Sequence, residues 1–355
     1  MSKKKETCNT QACAKKTSIG GQALIEGIMM RGATDSAMAV RNPEGEIILE
    51  KWENQPVKSK LAKLPLVRGV VNFVISMKIG YKALMRSAEI AGLEDADESA
   101  YEKSEREGVR DGEAQTVKSK KEDQKSSSAL MTVLMLVASV LGVALSIGLF
   151  IMLPTFLFGW LTRLIPALLP ENAALASLYK SVFEGVLKIL ILVAYMLLVS
   201  LMKDIRRTFQ YHGAEHKTIF CYEHGQPLTV ENVRREGRFH PRCGTSFLIL
   251  MLLVGMFVSF CIDPLCILIF EQVPPTWVRA ILKLLLLPIT MGLGYEMLKL
   301  AGKHDNLFTR IISAPGKWLQ RVTVLEPTDD MIECAILAFR EVLPPEERED
   351  KTQSE

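Results

Sequence analysis

Long apolar stretches separated by polar segments dominate the second half of the chain. No charged residue occurs from Ser126 to Thr162, and a helix that crosses a bilayer needs about 20 consecutive apolar residues. Runs this long and this uncharged favour transmembrane helices over buried core helices. The four predicted spans cover residues 129–153, 182–202, 244–262 and 277–300.

Prolines mark where these spans end or break, because proline removes a backbone N–H and disturbs a helix interior. Pro154 is predicted to end the first span, Pro264 to end the third and Pro288 to break the fourth. The second span contains Glu184 and Lys188. These residues are four positions apart on one helix face, so they can form an ion pair.

The N-terminal third has shorter apolar runs and more polar residues than the rest of the chain. Two β-prone runs flank Asn42-Pro43-Glu44-Gly45, which predicts a β-hairpin. Apolar residues at helical spacing over 64–90 predict an amphipathic helix. This helix either lies on the membrane surface or packs on its own small domain, and the pattern leaves both open. Its interleaved basic residues are Arg68, Lys78, Lys82 and Arg86.

The predicted fold class is mainly α: a polytopic membrane protein with about four transmembrane helices, a small N-terminal α+β region containing the hairpin, and a C-terminal cytoplasmic helix. That last helix is predicted over 331–343, after an N-cap at Thr328, with its apolar face packed on the protein. The predicted regions are a disordered tail (1–18), an N-terminal cytoplasmic region (19–92), a charged flexible linker (93–128), a membrane domain (129–300) with a cytoplasmic loop (203–243), a C-terminal cytoplasmic region (301–345) and a disordered tail (346–355).

Charge predicts the orientation of the chain in the membrane. Lysine and arginine are concentrated in 203–243 and after residue 298, which places both segments and both termini in the cytoplasm. This basic side would favour anionic lipids of the bilayer. The formal net charge of +3 is too small to predict a nucleic-acid partner. The seven cysteines show no paired spacing typical of a secreted, disulfide-stabilised fold.

The central polar stretch contains a candidate metal-binding motif, His212-Gly213-Ala214-Glu215-His216. Residues four apart share a helix face, so both imidazoles can reach one divalent cation, for which zinc is the first choice. Glu215 lies beside that face, where a carboxylate could take a proton from a metal-bound water. The form H-x-x-E-H occurs in one class of zinc peptidases.

Further donors follow this motif, and four of the five histidines lie in this central stretch. His240 is the first choice for a third ligand, because it precedes a predicted span. Glu296 is the second, since a charge within a span is costly without a partner, and Cys243 is the third. His224 is a further candidate. The alternatives are a purely structural polar cluster, which could bind lipid phosphate through Lys217 and Arg242, and a thiol role for Cys243.

A glycine-rich segment at residues 20–32 contains two further polar candidates, Glu26 and Arg31. It is not a P-loop, because no Gly-Lys-Ser/Thr follows. The pattern favours a tight turn before a helix. Close contact of this backbone with the rest of the site is the alternative.

Several blocks of the sequence resemble the YqhQ-like family of bacterial membrane proteins. They are Gly20–Gly32, Tyr211–Lys217, Tyr222–Gly225, His240–Phe247 and Tyr295-Glu296. The resemblance covers residues 19–343 apart from the charged linker. It implies a multi-pass protein of the bacterial cell membrane and, from the family's description as predicted metal-dependent enzymes, a bound metal. It implies no substrate, and peptidase activity does not follow from the five-residue motif.

The first functional hypothesis is a metal-dependent, hydrolytic membrane enzyme that acts at the cytoplasmic face on a lipid, a lipid-linked molecule or a membrane peptide. Glu215 would be the general base, and Lys217 and Arg242 would stabilise an anionic group. One alternative is a non-enzymatic scaffold or assembly factor with a structural metal or a polar docking site. A second is a small transporter that uses charges within the spans.

Overall fold

The structure is a computed structural model, and it describes residues 17–55, 59–93, 137–271, 275–303 and 306–349. The predicted tail before residue 17, most of the predicted linker and the start of the first predicted span lie outside these ranges. The chain divides into two compact units. The mixed unit comprises Met1–Ala96, Met196–Leu250 and Met291–Glu355, and the apolar unit comprises Asp97–Tyr195 and Met251–Thr290.

The mixed unit contains one antiparallel sheet of four strands in the order β1-β2-β3-β4. The strands are β1 (Gly20–Leu24), β2 (Gly27–Arg31), β3 (Asp35–Arg41) and β4 (Ile47–Glu53). The predicted hairpin at Asn42–Gly45 is confirmed as the β3–β4 turn, in which Gly45 has a φ of +90°. The predicted tight turn before a helix at residues 20–23 is wrong, because these residues form β1.

The helices make up most of the described chain. They are α1 (Val67–Ile90), α2 (Val137–Leu164), α3 (Ala173–Val199), α4 (Lys203–Glu223), α5 (Val230–Arg235), α6 (Gly244–Phe270), α7 (Thr276–Leu285), α8 (Leu287–Lys303), α9 (Leu307–Thr323), α10 (Asp329–Glu341) and α11 (Pro345–Glu349). Helix α10 confirms the predicted C-terminal helix, and its apolar face is buried. Helix α11 includes the first residues of the predicted C-terminal tail (346–355), and the rest of that tail lies outside the described residues.

Helices cover both faces of the sheet in the mixed unit. Strand β3 shows the two-residue alternation of a strand buried on both sides. Ala37 and Ala39 join the core formed with α4 and α10, while Met38 and Val40 join a second core that includes Ala83 of α1. The sheet therefore connects α1 on one side to α4 and α10 on the other.

Helix α1 packs on the sheet through small residues. A Cβ atom at Gly80 would lie 2.1 Å from Oε1 of Gln22, and Ala83 and Ser87 are buried. The sequence left open whether this helix lies on the membrane surface or packs on its own small domain. Its inner face packs on the sheet of its own domain. The opposite face of α1 carries exposed apolar side chains, including Met77 and Tyr81.

Three helices are long and apolar enough to cross a membrane: Val137–Leu164, Leu175–Val199 and Gly244–Ile269. A fourth candidate is the pair Trp277–Leu285 and Leu287–Leu300, which is bent by 49° at the predicted break. The predicted stops at Pro154 and Pro264 are wrong, because both prolines lie within helices. A π-helical turn at Gly148–Met152 directly precedes Pro154, and such turns accommodate a proline that has no N–H to donate.

Among the described residues of the apolar unit, Glu184 is a buried charged residue that is 5% exposed. Its ion-pair partners are Lys180, at 3.9 Å, and Lys283, at 3.4 Å, and it accepts a hydrogen bond from the Thr155 hydroxyl at 3.0 Å. The predicted Glu184–Lys188 pair is therefore replaced by pairs with these two lysines.

Candidate metal centre

Helix α4 is polar in sequence yet largely buried, and it carries the predicted motif. It packs against β1, β2, α5 and α10. At Gly213 the neighbouring backbone is so close that a Cβ atom would lie 1.9 Å from the carbonyl oxygen of Leu325. The N–H of Leu325 also donates to the carbonyl of Phe209 at 2.9 Å. This close approach brings the end of α9 to the His212 side of the helix.

His212 lies between a backbone carbonyl and a thiol. Its Nδ1 is 2.9 Å from the carbonyl oxygen of Thr323, and its Nε2 is 3.1 Å from Sγ of Cys243. A carbonyl only accepts hydrogen bonds, so Nδ1 carries the proton. The lone pair of Nε2 therefore points towards Cys243.

His216, one helical turn later, repeats this arrangement. Its Nδ1 is 2.5 Å from the carbonyl oxygen of Arg238, which again places the proton on Nδ1. Its buried Nε2 has no hydrogen-bond partner among the described residues. The rings of His212 and His216 meet edge to face with their centroids 4.5 Å apart. Burial lowers the pKa of His216 and so favours the neutral form that binds metal.

The donor atoms of His212, His216 and Cys243 all lie within 4.8 Å of one another. Two imidazoles and a thiolate are suited to zinc and other borderline or soft divalent cations. Backbone carbonyls that hold the distal ring nitrogens are typical supports of metal-binding histidines. The cluster therefore fits a divalent cation by the chemistry of its donors and by its unpartnered nitrogen. The third donor is Cys243, the third choice from sequence.

Cys243 precedes the first residue of α6 and is held there by Thr245. The threonine hydroxyl lies 3.1 Å from Sγ, and its N–H donates to Sγ at 3.4 Å. The sulfur thus lies at the N-terminal end of α6, within reach of the His212 ring.

Glu215 points to the sheet and contacts the glycine-rich strand. Its Oε1 accepts a hydrogen bond of 2.8 Å from the N–H of Gly21, and the side chain is buried. Burial raises the pKa of Glu215, against the opposing effects of His212 and of the Gly21 N–H. Contact of this strand backbone with the site was the alternative reading of residues 20–23, and it is confirmed.

His240 and Arg242 form a separate buried cluster with Glu223. The His240 ring centroid is 5.5 Å from that of His216, but His240 is not part of the three-donor group. Its Nδ1 accepts from the N–H of Arg242 at 3.3 Å, and its Nε2 lies 3.9 Å from Glu223. The Arg242 guanidinium binds the same carboxylate, to which Thr17 N–H also donates at 2.8 Å.

Lys217 is buried and engaged in an ion pair that the sequence does not reveal. Its Nζ binds Glu326 and also donates to the carbonyl of Arg234 at 2.8 Å. Glu326 binds Arg238 as well, at 2.9 Å. One carboxylate thus joins α4 to the loop whose carbonyl orients His216. Glu326 follows α9 in a segment without periodicity, so no sequence signal identifies it.

The remaining candidates lie away from the three donors and have partners of their own. Glu296 forms a two-pronged ion pair with Arg68, and Glu26 forms one with Arg207. His224 Nδ1 lies 2.9 Å from Glu236, and Arg31 donates to the Ser76 hydroxyl at 3.4 Å. The structure therefore gathers His212, His216 and Cys243 and leaves these four outside the group.

The described chain thus combines long apolar helices with a largely buried cluster of two histidines and one cysteine in the mixed unit. It belongs to the family described as "Protein of unknown function (DUF1385)", whose family model matches residues 64–345. It is also 34% identical over 327 residues to "Uncharacterized protein YqhQ" of Bacillus subtilis (strain 168), which covers 91% of this chain and 92% of that protein. No solved structure matches the chain. The resemblance to the YqhQ-like family is confirmed.

Proposed function

We propose that the protein is a metal-dependent enzyme of the cell membrane, with zinc bound by His212, His216 and Cys243. The observation that carries this proposal is the pair of carbonyl-bound histidines. The carbonyls of Thr323 and Arg238 hold both Nδ1 protons, which leaves both Nε2 atoms as possible metal donors, and the donor atoms of the two histidines and Cys243 lie within 4.8 Å of one another. A structural polar cluster gives no reason to leave the buried Nε2 of His216 unpaired, because such a nitrogen is costly without a partner.

The apolar helices support a membrane location with the metal centre at the cytoplasmic surface. Helix α4 begins four residues after α3 ends, and α6 begins at the residue that follows Cys243. Two candidate spans thus adjoin the segments that carry the three donors. The concentration of lysine and arginine in 203–243 supports our proposal that this surface faces the cytoplasm.

Three protein donors favour a catalytic centre over a structural one. Structural zinc sites commonly have four protein ligands, whereas catalytic sites have three and keep one position open. Zinc with an open position lowers the pKa of a bound water to about 7. Glu215 is our candidate general base, because it directly precedes His216 on the helix that carries both histidines, and burial raises the pKa of its carboxyl.

The expected substrate is a lipid, a lipid-linked molecule or a membrane peptide, since a soluble substrate gives no reason for several spans. Lys217 and Arg242 already bind Glu326 and Glu223. We therefore assign their charges to holding the site and not to a substrate. This replaces the oxyanion role expected for them from sequence.

A thiol-based enzyme is the second candidate, and the contact between His212 and Cys243 favours it. At 3.1 Å the imidazole could accept the thiol proton, while the Thr323 carbonyl keeps the ring in the required tautomer. The two candidates differ in their dependence on His216, which contributes to a metal centre but is not needed by a Cys–His pair.

Metal content of the purified full-length protein tests the proposal. We expect about one zinc ion per chain in detergent, and loss of that zinc in His216→Ala and Cys243→Ser. His224→Ala and Cys261→Ser are matched controls that should keep it, because neither residue belongs to the donor group. Zinc-free wild-type protein in which iodoacetamide rapidly modifies Cys243 would overturn the metal proposal in favour of the thiol.

Glu215→Gln separates catalysis from a structural metal. This variant keeps the size of the side chain and can still accept the Gly21 N–H. If zinc and the unfolding temperature are retained while cellular function is lost, the enzyme proposal stands. If the variant is fully functional, the centre is structural and the scaffold alternative replaces the enzyme.

A further inference from the structure

We propose that the outer face of α1 binds the surface of a bilayer that contains anionic lipids. Val74, Met77 and Tyr81 form an apolar row along this face and are 57%, 59% and 66% exposed. Spacings of three and four residues place them on one side of the helix. The inference rests on the membrane location proposed above but does not depend on the metal.

Helix α1 carries apolar side chains on both of its faces. Its sheet-facing side packs through Gly80, Ala83 and Ser87 together with the partly buried Ile79, Leu84 and Ile90, whereas Val74, Met77 and Tyr81 remain exposed. Apolar area in water costs about 25 cal/mol per Å², and a contiguous exposed apolar row marks an interaction surface. Helix α1 thus has a second apolar face, which the sheet does not bury.

Lysines next to this row identify the chemistry of the partner. Lys78 and Lys82 are exposed on α1 beside Met77 and Tyr81, and none of the ion pairs of the described residues includes either lysine. The acidic residue of α1, Glu89, is paired with Arg86. An amphipathic helix with apolar and lysine side chains on its free side is typical of binding to anionic headgroups.

The start of α1 is fixed to α8, the second half of the bent candidate span. Arg68 and Glu296 form a two-pronged ion pair, and Asn72 donates to the Tyr295 hydroxyl at 3.0 Å. A Cβ atom at Gly69 would lie 2.8 Å from Cβ of Tyr295. The outer face of α1 therefore begins beside a helix that we propose to enter the bilayer.

The segment that precedes α1 continues the exposed apolar surface as far as the contact between α1 and α8. Leu61, Leu64 and Val67 are 69%, 49% and 41% exposed, and Lys60 and Lys63 are exposed between them. From Val67 to Tyr81 the helix advances about 21 Å. An apolar strip of this length, joined at one end to a candidate span, fits a lipid surface better than a compact protein pocket.

Photocrosslinking in the full-length protein tests the assignment. Variants that carry benzoylphenylalanine at position 77 or 81 are reconstituted into phosphatidylcholine vesicles with or without phosphatidylglycerol and are irradiated. Lipid adducts of the protein are then measured by mass spectrometry. We expect adducts at both positions and at least threefold more with phosphatidylglycerol. Substitution at Glu44, in the exposed β3–β4 turn, should give none above background. Crosslinks only to this chain or to a second copy would overturn the inference.

Two further variants separate this inference from the membrane proposal. Benzoylphenylalanine at Leu190, which is 58% exposed on α3, should give lipid adducts if that helix is inserted. Adducts at 190 but not at 77 or 81 would reject the α1 surface alone, and no adducts at 190 would reject the membrane location. Lys78→Glu with Lys82→Glu should abolish the phosphatidylglycerol enhancement; an unchanged enhancement would reject the role of the lysines.

Discussion

Gly213 and Leu325 approach so closely that the helix carrying both histidines has no space for a side chain at this position. A methyl group at residue 213 would lie 1.9 Å from the Leu325 carbonyl oxygen, which cannot move without displacing the end of α9. Thr323, whose carbonyl orients His212, belongs to that end. The distance between two backbones thus controls the orientation of His212, one of the three proposed metal donors.

Gly213→Ala should therefore destabilise the protein even though alanine is the better helix former. The expected loss is at least about 1–3 kcal/mol, as for overpacking of a core. The higher helix propensity of alanine stabilises the folded state by about 1 kcal/mol relative to glycine. This gain offsets only part of the destabilisation that the clash causes. The measurements are unfolding of the detergent-solubilised protein and its zinc content. Gly237→Ala is the control, because a Cβ atom there meets nothing within 4 Å; equal stability of the two variants would contradict the clash.

Glu326→Gln should weaken zinc binding although residue 326 is not a zinc donor. The carboxylate holds Lys217 and Arg238 together, and the Arg238 carbonyl orients His216. Loss of support for a metal-binding histidine typically costs about 10–100-fold in affinity, and we expect the lower end here. Competition with a chelator would measure it.

The control for that variant is Glu231→Gln, which removes a carboxylate from an exposed pair with Arg235. Exposed ion pairs contribute about 0–1 kcal/mol, so zinc affinity should not change. Equal losses in the Glu326 and Glu231 variants would show a general effect of charge on the site.

The neighbours Gly20 and Gly21 provide a second pair of matched variants. A Cβ atom at Gly21 would lie 2.6 Å from the Met29 carbonyl oxygen and 3.0 Å from Cδ of Glu215, whereas at Gly20 it would meet nothing within 4 Å. Gly21→Ala should lower the free energy of unfolding by about 1–3 kcal/mol, and Gly20→Ala should be within about 0.5 kcal/mol of wild type. Thermal unfolding measures both, and a harmless Gly21→Ala would contradict the packing of β1 on Glu215.

Glu223 should make the stability of the protein depend on pH in the acid range. Burial would raise the pKa of this carboxyl, but His240, the Thr17 N–H and Arg242 outweigh burial and lower the pKa to about 2. A carboxyl whose pKa is lower in the folded than in the unfolded state stabilises above its unfolded pKa of about 4.3. This contribution is lost as the pH falls from about 4.3 to 2.

Unfolding of wild type and Glu223→Gln at pH 7 and at a series of values down to pH 2.5 tests this expectation. The wild type should lose stability relative to the variant over that window, by at most about 3 kcal/mol for a shift of this size. Parallel pH profiles for the two proteins would show that Glu223 is not held in its charged form.

Local patterns were sufficient for much of the fold. The turn at Asn42–Gly45 contains its own proline and glycine, and the spacing of His212 and His216 already places both rings on one helix face. The same rules failed at Pro154 and Pro264, where the surrounding helix overrides a single proline. The β1–β2 turn was missed because Glu26 adopts its left-handed conformation, with a φ of 48°, in place of glycine or asparagine.

The rest of the site depends on contacts between distant parts of the chain. Cys243 became the third donor only because the start of α6 lies beside α4. The two carbonyls that orient the histidines belong to Thr323 and Arg238. Backbone groups are present at every residue, so a sequence pattern cannot identify them.

The order of synthesis has a consequence for the four-stranded sheet. Arg41, at the end of β3, donates to the carbonyl of Asp330 in α10 at 3.1 Å across 289 residues of sequence. At about 5–20 residues per second, the ribosome needs about 15–60 s to make that stretch. During this interval one apolar side of the sheet still lacks α10, one of the two helices that cover it, so the nascent chain exposes apolar residues of the kind that chaperones bind.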